Sequence, residues 1–221
     1  MSSPSPTPSR HPAQPPLDAS RIAVAALTLI DDHGLDALSM RRLGGELGVQ
    51  GMALYRHFVN KDEILDAVRH LLVEEFADRL ADAAPKEGWR DQLHTFAVCY
   101  RQVALAHPNA FPLLATGAEK AWAHGREVAG AVLGHLLAAG FDEETAIGAE
   151  RTAIRYVIGY SLIETATAGT ARPTPEVIQM GRADDPVARL VRSITMVPDE
   201  RLFVLGLDLI LDGLATRLPS Q

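Results

Sequence analysis

Two short helical patterns separated by a glycine turn, within residues 39–61, constrain the fold of this chain more than any other feature. Ser39 is a typical N-cap for the first helix, and Gly48 ends it at a tight turn. A second short helix is predicted over 50–58. The apolar residues with inward-facing spacing are Met40, Leu43, Leu47, Leu54 and Phe58. A helix, a tight turn and a second helix predict a helix-turn-helix unit, whose second helix enters the major groove of DNA.

Helical spacing continues on both sides of this unit. A preceding helix over about 18–33 is predicted to stop at Gly34, and Asn60 with Glu63 resembles a capping box that starts a longer helix. No segment shows the alternation of apolar and polar residues that is typical of strands, and there is no internal repeat. The sequence therefore predicts an all-α protein.

Composition excludes several classes of protein. The chain has 221 residues, 47% of them apolar, which is enough to bury a core without disulfides or a structural metal. A single cysteine, Cys99, excludes an internal disulfide framework and a Cys-rich zinc module. The apolar stretch 22–30 is far shorter than the ~20 residues of a membrane-spanning helix, and no hydrophobic signal region opens the chain. We therefore expect a cytoplasmic protein that does not enter membranes.

Charge is unevenly distributed along the chain. The net charge is −7, yet residues 39–61 carry four basic residues against the single acidic Glu46. Because the phosphate attraction depends on the contacting face, a basic segment on an acidic body is compatible with binding to DNA.

The chain divides into three parts by composition. The first sixteen residues hold six of its fourteen prolines, which predicts a disordered tail over 1–17. Residues 18–76 form the predicted DNA-binding domain. Residues 77–221 form a second helical domain, with helices predicted over 89–107, 119–139 and 142–168, a Pro-containing loop over 170–198 and a last helix capped by Asp199.

Residues 38–61, LSMRRLGGELGVQGMALYRHFVNK, resemble the DNA-binding segment of TetR-family transcriptional regulators. The Leu-Gly-Val, Leu-Tyr-x-His-Phe and Asn-Lys elements stand in the order and spacing of that family. The resemblance implies a homodimer that binds a palindromic operator on double-stranded DNA, usually as a repressor released by a small-molecule effector.

The resemblance also implies roles for individual residues. Phosphate contacts are expected from Tyr55, His57 and Lys61, and positions near the base edges are Arg41, Gln50, Gly51, Met52, Ala53 and Arg56, with Ser39 and Arg42 completing the DNA-facing set. Residues 51–53 offer no side-chain hydrogen-bond donor, so we expect modest sequence discrimination with a contribution from DNA shape. Gly44 and Gly45 depart from the family pattern, and each costs helix stability of about 1 kcal/mol relative to Ala, which predicts a soft first helix.

The C-terminal part is similar to the effector domain of the tetracycline-repressor branch, through His107-Pro-Asn-Ala, Ala139-Gly-Phe-Asp and the run 205–214. This similarity implies that helices at about 143–168 and 199–217 form a four-helix bundle between two subunits. The apolar residues that support it are Ile147, Ile154, Val157, Ile158 and Leu162, with the small residues Gly148, Ala149, Gly159 and Ser161 allowing close approach.

The candidate effector-binding residues are Phe96, Tyr100, His107, Phe111, Leu114, Trp122, Tyr156 and Tyr160. As a set they predict a mostly apolar cavity for an apolar or aromatic small molecule. No cofactor and no metal site are predicted: His70, His94, His124 and His135 are scattered, and His107 has no carboxylate near it in sequence. The resemblance to the tetracycline-binding proteins implies a metal ligand at the position of His107, but we interpret His107 in this chain as a helix-terminal capping residue.

Two alternatives remain at this point. An all-α enzyme has little support, because the chain shows no catalytic residue set: Gly159-Tyr-Ser161 lacks the second glycine of a nucleophile elbow, and there is no phosphate-binding glycine loop. A TetR-like ligand-binding or interaction module without specific DNA binding is favoured only by the lack of donors at residues 51–53.

Overall fold

The computed structural model describes residues 16–84, 87–116, 118–167 and 199–218, and these form α-helices and no strand. Within the described ranges the helices are α1 (Ala19–His33), α2 (Met40–Glu46), α3 (Gly51–Leu54), α4 (Lys61–Asp82), α5 (Trp89–Ala106), α6 (Pro112–Thr116), α7 (Ala118–Ala138), α8 (Glu143–Thr167) and α9 (Asp199–Ala215). The all-α prediction is confirmed. Most of the predicted N-terminal tail and the predicted loop 170–198 lie outside the described residues.

Side-chain caps fix where several helices start. The Ser39 hydroxyl accepts a hydrogen bond from the Arg42 amide at 3.2 Å, and Asn60 accepts one from the Glu63 amide at 2.9 Å. The Glu63 carboxylate accepts one in turn from the Val59 amide at 2.7 Å, which completes a capping arrangement at the start of α4. These contacts confirm the starts predicted for α2 and α4. Asp199 lies inside the first turn of α9, one residue later than a cap.

One continuous apolar core joins both domains. Its DNA-binding part is built on fully buried Ile22, Leu43, Leu54 and Ile64. Helix α4 packs on α1 and also on α5 and α7, so it belongs to both domains. Its 22 residues span about 33 Å. Among the described residues, none of the helices is both long enough and apolar enough to cross a membrane.

Two predictions about helix extent are corrected. The second helix of the helix-turn-helix is the four-residue α3 and not 50–58, because residues 55–57 continue as a turn. A short 3-10 turn at Leu35–Ala37 and helix α6 were not predicted. Both are too short to show a periodic pattern, and α6 starts at Pro112, a residue that fits the first position of a helix but otherwise indicates a break.

Candidate nucleic-acid interface and regulatory domain

Helix α3 and the turn after it expose the side chains predicted to face DNA. Met52 is 73% exposed and Tyr55 46%, and Arg56 and His57 are also exposed. Leu54, in contrast, is fully buried and anchors the helix in the core. The exposed side chains of this segment are therefore accessible to a partner, whereas Leu54 is not.

The remaining predicted DNA-facing residues lie on α2, before α3 and at the start of α4. Exposed positions are Ser39, Arg41, Arg42 and Gln50, and half-buried ones are Gly51, Ala53 and Lys61. Lys61 is the first residue of α4, so its side chain stands where the helix-turn-helix joins the helix shared by both domains.

The approach of α2 to α3 depends on Gly44. A Cβ atom at this position would lie 2.9 Å from the Gly51 nitrogen and 2.9 Å from the Val49 carbonyl oxygen, both of which are backbone atoms. At Gly45, a Cβ would meet nothing within 4 Å. The propensity argument treated the two glycines alike, whereas only Gly44 is required by the packing. Gly48 makes the turn between the helices with a φ of 68°.

His107 lies at the junction between the two domains. It ends α5, with its amide donating to the Val103 carbonyl at 2.9 Å, as expected for a helix-terminal residue. Its Nδ1 is 2.6 Å from Asp31 Oδ2 on α1, and its Nε2 is 2.6 Å from Glu75 Oε2 on α4. The sequence analysis found no carboxylate partner near His107, and the structure supplies two, which are 76 and 32 residues away in sequence.

Further polar contacts hold the same junction. The Asn109 amide donates to the Asp31 carbonyl at 2.7 Å, and the Arg69 guanidinium donates to the Leu113 carbonyl at 3.1 Å. In the part of the chain that the structure describes, no group of three His, Cys, Asp or Glu side chains is arranged to hold a metal ion.

Three of the candidate effector-binding residues form one aromatic cluster. The rings of Phe96 and Tyr100 stack at 6.2 Å between centroids, and Phe111 meets Tyr100 at 5.6 Å. Phe76 of α4, which the sequence analysis missed, contacts Phe96 and Tyr100 at 5.1 Å each. Burial raises the pKa of Tyr100 above its ordinary value. Leu114 is buried in the same core.

Tyr156 and Tyr160 belong to a different cluster. Both rings pack on Phe203, and their hydroxyls donate to the carbonyls of Phe203 and Asp199, each at 2.8 Å. They brace α8 against α9 and do not contact the cluster of Phe96 and Phe111 through any ring pair among the described residues. Trp122 lies on α7, and its side chain is outside the described part.

A buried ion pair that the sequence analysis missed ties α5, α8 and α9 together. The Arg101 guanidinium donates two hydrogen bonds to the Glu164 carboxylate, at 2.9 and 2.5 Å. Its central carbon, Cζ, lies 5.0 Å from the centre of the Phe203 ring. Both charged side chains are nearly buried. No short-range pattern could have paired two residues 63 positions apart.

Helix α8 also buries two polar groups without partners. Glu150 is 1% exposed, and among the described residues neither its Oε1 nor the Ser161 hydroxyl has a hydrogen-bond partner. Burial raises the pKa of Glu150 to about 7. The carboxyl lies on the inner face of α8 among Ala146, Ala149, Ala153 and Val157. That helical spacing was a signal available in the sequence, since Glu150 falls four residues after Ala146.

We predict that Glu150→Gln removes a pH dependence of stability. A carboxyl with a raised pKa in the folded state keeps its proton where the unfolded chain has lost it, so stability falls as pH rises from about 4.5 to 7. The variant should be more stable than the parent at pH 8 by about 1–2 kcal/mol, after allowing for screening by water, and equal to it near pH 4. Thermal unfolding across this pH range measures the difference.

The control is Glu144→Gln, an exposed change on the same helix. Because Glu144 lies in the first turn of α8, this variant should lose about 0.3–1 kcal/mol of stability at neutral pH and keep the fall in stability between pH 4.5 and 7. The prediction would be contradicted if the free energy of unfolding of both the parent protein and Glu150→Gln did not change between pH 4.5 and 8. That result would show that this carboxyl is not desolvated.

One side of α8 and one side of α9 carry apolar residues that the described part of the subunit leaves exposed or only half-buried. On α8, Ile147 is 37% exposed, and half-buried residues follow at helical spacing, namely Ile154, Ile158 and Leu162. On α9, Leu205 and Leu209 are 56% and 65% exposed. Of the residues predicted to support a dimer, Val157, Ala149 and Ser161 instead face the subunit's own core, because they fall on the opposite side of α8.

Two family models match the chain. The model of bacterial regulatory proteins of the tetR family covers residues 22–68, and the model of the tetracyclin repressor-like C-terminal domain covers residues 82–218. The tetracycline repressor protein class A from transposon 1721 of Escherichia coli is 32% identical over 205 residues, which cover 91% of this chain and 92% of the repressor.

Solved structures show the same likeness. The Streptomyces coelicolor TetR family protein ActR in complex with (S)-DNPA superposes with a TM-score of 0.68 at 27% identity, covering 92% of this chain and 100% of that one. BioQ with its double-stranded DNA operator superposes with a TM-score of 0.66 at 29% identity, covering 91% of this chain and 99% of that one. Together with the helix-turn-helix and the two matched domains, these findings show that the chain belongs to the TetR family of ligand-responsive, DNA-binding transcriptional regulators.

Proposed function

We propose that this chain is a homodimeric transcriptional repressor of the cytoplasm, which binds a palindromic operator and is released from it by a small molecule. The observation that carries the DNA-binding part is the exposure of Met52, Tyr55 and Arg56 on and after α3, beside a core that fixes Leu54. The absence of an enzymatic activity is part of the proposal, and it is supported by relatives that are transcriptional regulators.

Two substitutions separate phosphate contacts from base contacts. Lys61→Ala should weaken binding to all DNA sequences and reduce the slope of log K against log salt by about one, because one phosphate contact is lost. Arg41→Ala should relax the preference at one position of each half-site, at a cost of about 1–3 kcal/mol against the preferred base. Titrations of operator and scrambled duplexes at several salt concentrations measure both effects. Variants that alter thermal stability alone would contradict the assignment of the DNA face.

The dimer surface that we propose is the apolar side of α8 and α9. Ile147, Ile154, Ile158 and Leu162 form a continuous stripe on α8, and Leu205 with Leu209 extends the exposed apolar surface onto α9. Dimerisation is also a mechanical requirement, since two recognition helices must lie about one DNA turn apart, ~34–36 Å, to read a palindrome.

The effector that we propose is an apolar or aromatic small molecule bound beside the cluster of Phe96, Tyr100 and Phe111. Relatives support a ligand-binding role for this domain, since ActR was solved with (S)-DNPA and a TetR from Acinetobacter baumannii AYE with minocycline.

Helix α4 provides the connection between effector and operator. Phe76 on α4 contacts the aromatic cluster, and Lys61 at the other end of the same helix belongs to the proposed DNA face. A ligand that displaces the Phe76 ring therefore displaces the helix that positions the helix-turn-helix. We infer that effector binding changes the separation of the two recognition helices in the dimer.

Reciprocity gives this coupling a direct test. If the effector weakens operator binding by a given factor, typically about 5–150-fold, the operator must weaken effector binding by the same factor. Calorimetric titration of the effector into the free protein and into the protein–operator complex measures both. Equal effector affinity in the two titrations would contradict the proposed coupling.

A ligand-binding module without specific DNA binding is the second candidate. It is favoured by one observation, that Gly51 and Ala53 are half-buried and that residues 51–53 offer no side-chain donor to base edges. A folded dimer that enriches no sequence from genomic DNA would support this alternative.

A further inference from the structure

The strongest unexplained feature of the molecule is the pair of short contacts made by one imidazole ring. The two ring nitrogens of His107 lie 2.6 Å from Asp31 Oδ2 and 2.6 Å from Glu75 Oε2. The ring is largely shielded from solvent, with 18% of its side chain exposed. Because the two carboxylates lie against different ring nitrogens, this arrangement joins two helices through the ring and does not chelate a metal.

Proton counting shows what these contacts require. A neutral imidazole has one N–H donor, whereas an imidazolium has two. Ionised carboxylates are only acceptors, so both contacts are hydrogen bonds only when one additional proton resides in the Asp31–His107–Glu75 group. Burial lowers the pKa of His107, but the hydrogen bonds to the two carboxylates raise it more, and the net pKa lies above its ordinary value. For the Asp31 carboxyl, burial raises the pKa above its ordinary value.

The charged groups around the ring come from two helices. Helix α1 supplies Asp31 and the neighbouring Asp32, and α4 supplies Glu75, whose Oε1 accepts hydrogen bonds from Arg79 at 2.6 and 2.8 Å. The segment 108–116 after the ring carries no charged residue. Within the described ranges Asp31 Oδ1 is buried and has no hydrogen-bond partner, so the contact of Oδ2 with His107 is what offsets the burial of this carboxylate.

The three partners lie on three different helices. Asp31 lies near the end of α1 in the DNA-binding domain, Glu75 lies on α4 one residue before Phe76 of the aromatic cluster, and His107 ends α5 of the effector domain. The ring is therefore one of the contacts, together with those of Asn109 and Arg69, that hold the DNA-binding domain on the effector domain.

We propose that His107, in its doubly protonated form, is a positioning residue that clamps the DNA-binding domain in its operator-binding orientation, so that loss of the clamp proton weakens operator binding. This inference rests on the proposed function. Without the clamp, the DNA-binding domain samples more orientations, and the apparent operator affinity falls in proportion to the population that remains competent.

The first test needs no DNA. Nitrogen-15 NMR of labelled histidine distinguishes a doubly protonated ring from a neutral one, and the His107 signal is assigned by its loss in His107→Gln. We expect His107 to keep both ring protons at pH 7, because the hydrogen bonds to the two carboxylates raise its pKa. A His107 ring that is neutral at pH 7 overturns the proposal, whatever the protein does with DNA.

The second test measures operator affinity between about pH 6.5 and pH 9, the range in which a histidine with a raised pKa loses its proton. For the parent protein we expect a loss of about 5–50-fold, within the usual range of coupling between two sites. His107→Gln should bind weakly throughout and show a smaller pH slope, and Asp31→Asn, which removes one charge from the clamp, should shift the transition to lower pH. His135→Gln is the matched control and should follow the parent.

Parallel pH slopes for the parent and His107→Gln would overturn the clamp, because titrating groups on the DNA face then explain the dependence. If the protein has no operator, the NMR titration still decides the protonation state, so failure of the proposed function and failure of the clamp are distinguishable.

Discussion

Gly44→Ala is expected to destabilise the DNA-binding domain by about 1–3 kcal/mol, the usual cost of adding a methyl group to a packed core. The added Cβ would lie 2.9 Å from two backbone atoms of the α2–α3 connection, Gly51 N and Val49 O, which have no rotamer to change. The two helices must therefore separate. Because α3 carries the exposed Met52, we also expect operator affinity to fall by the value of at least one base contact, about 1–3 kcal/mol.

Gly45→Ala is the matched control, with the opposite expected sign. It lies on the same helix, one residue on, and its Cβ would meet nothing within 4 Å. Replacing an exposed helical glycine by alanine stabilises a helix by about 0.5–1 kcal/mol. Thermal unfolding and operator titration of both variants give the comparison. If both changes stabilise the protein, the close approach of α2 to α3 is not what Gly44 provides.

A charge on the exposed side of α9 is expected to convert the dimer to a monomer. Leu209→Glu places a carboxylate at a position that is 65% exposed in the subunit and buried in the proposed dimer. Because simultaneous binding of two half-sites multiplies affinity by about 10²–10⁴, the monomer should lose that factor on a palindromic operator. Sedimentation velocity measures the mass, and DNA titration measures the affinity.

Leu137→Glu controls for a new exposed charge. Leu137 lies on α7 and is 47% exposed, outside the proposed dimer surface. This variant should remain dimeric and bind the operator like the parent. A dimer that persists in Leu209→Glu and also in Leu205→Glu would place the subunit interface elsewhere.

The fold was largely predictable because its signals are local. Helical periodicity, the caps Ser39 and Asn60 and the turn at Gly48 act over a few residues, and each appears in the structure where the sequence places it. Helix α6 was not predicted, because five residues are too few to show helical periodicity and because its first residue, Pro112, indicates a break in a helix.

The regulatory domain was less predictable because its contacts are long-range. The partners of His107 and the pair Arg101–Glu164 are separated by 32 to 76 residues, and nothing in a local pattern joins them. The aromatic candidates shared a domain but divided into two clusters, one around Tyr100 and one around Phe203. The identity of a cavity residue depends on which helices face each other, and spacing along one helix does not determine that.

The apolar residues of α8 that were predicted to support the dimer also fall into two groups, one on each side of the helix. The sequence analysis assigned five apolar residues of α8 to the dimer without dividing them between the two sides of the helix. Assigning each residue to a face required the packing of α8 on α5, which buries Val157 and leaves Ile147 exposed.

The most direct test of the central claim is selection of bound fragments from sheared source DNA by the purified protein, at ~150 mM salt to suppress nonspecific phosphate binding. We predict enrichment of a palindrome whose half-sites lie about one DNA turn apart, bound by one dimer. A folded dimer that enriches no sequence would contradict an operator-binding repressor and leave the effector domain as the functional part of the molecule.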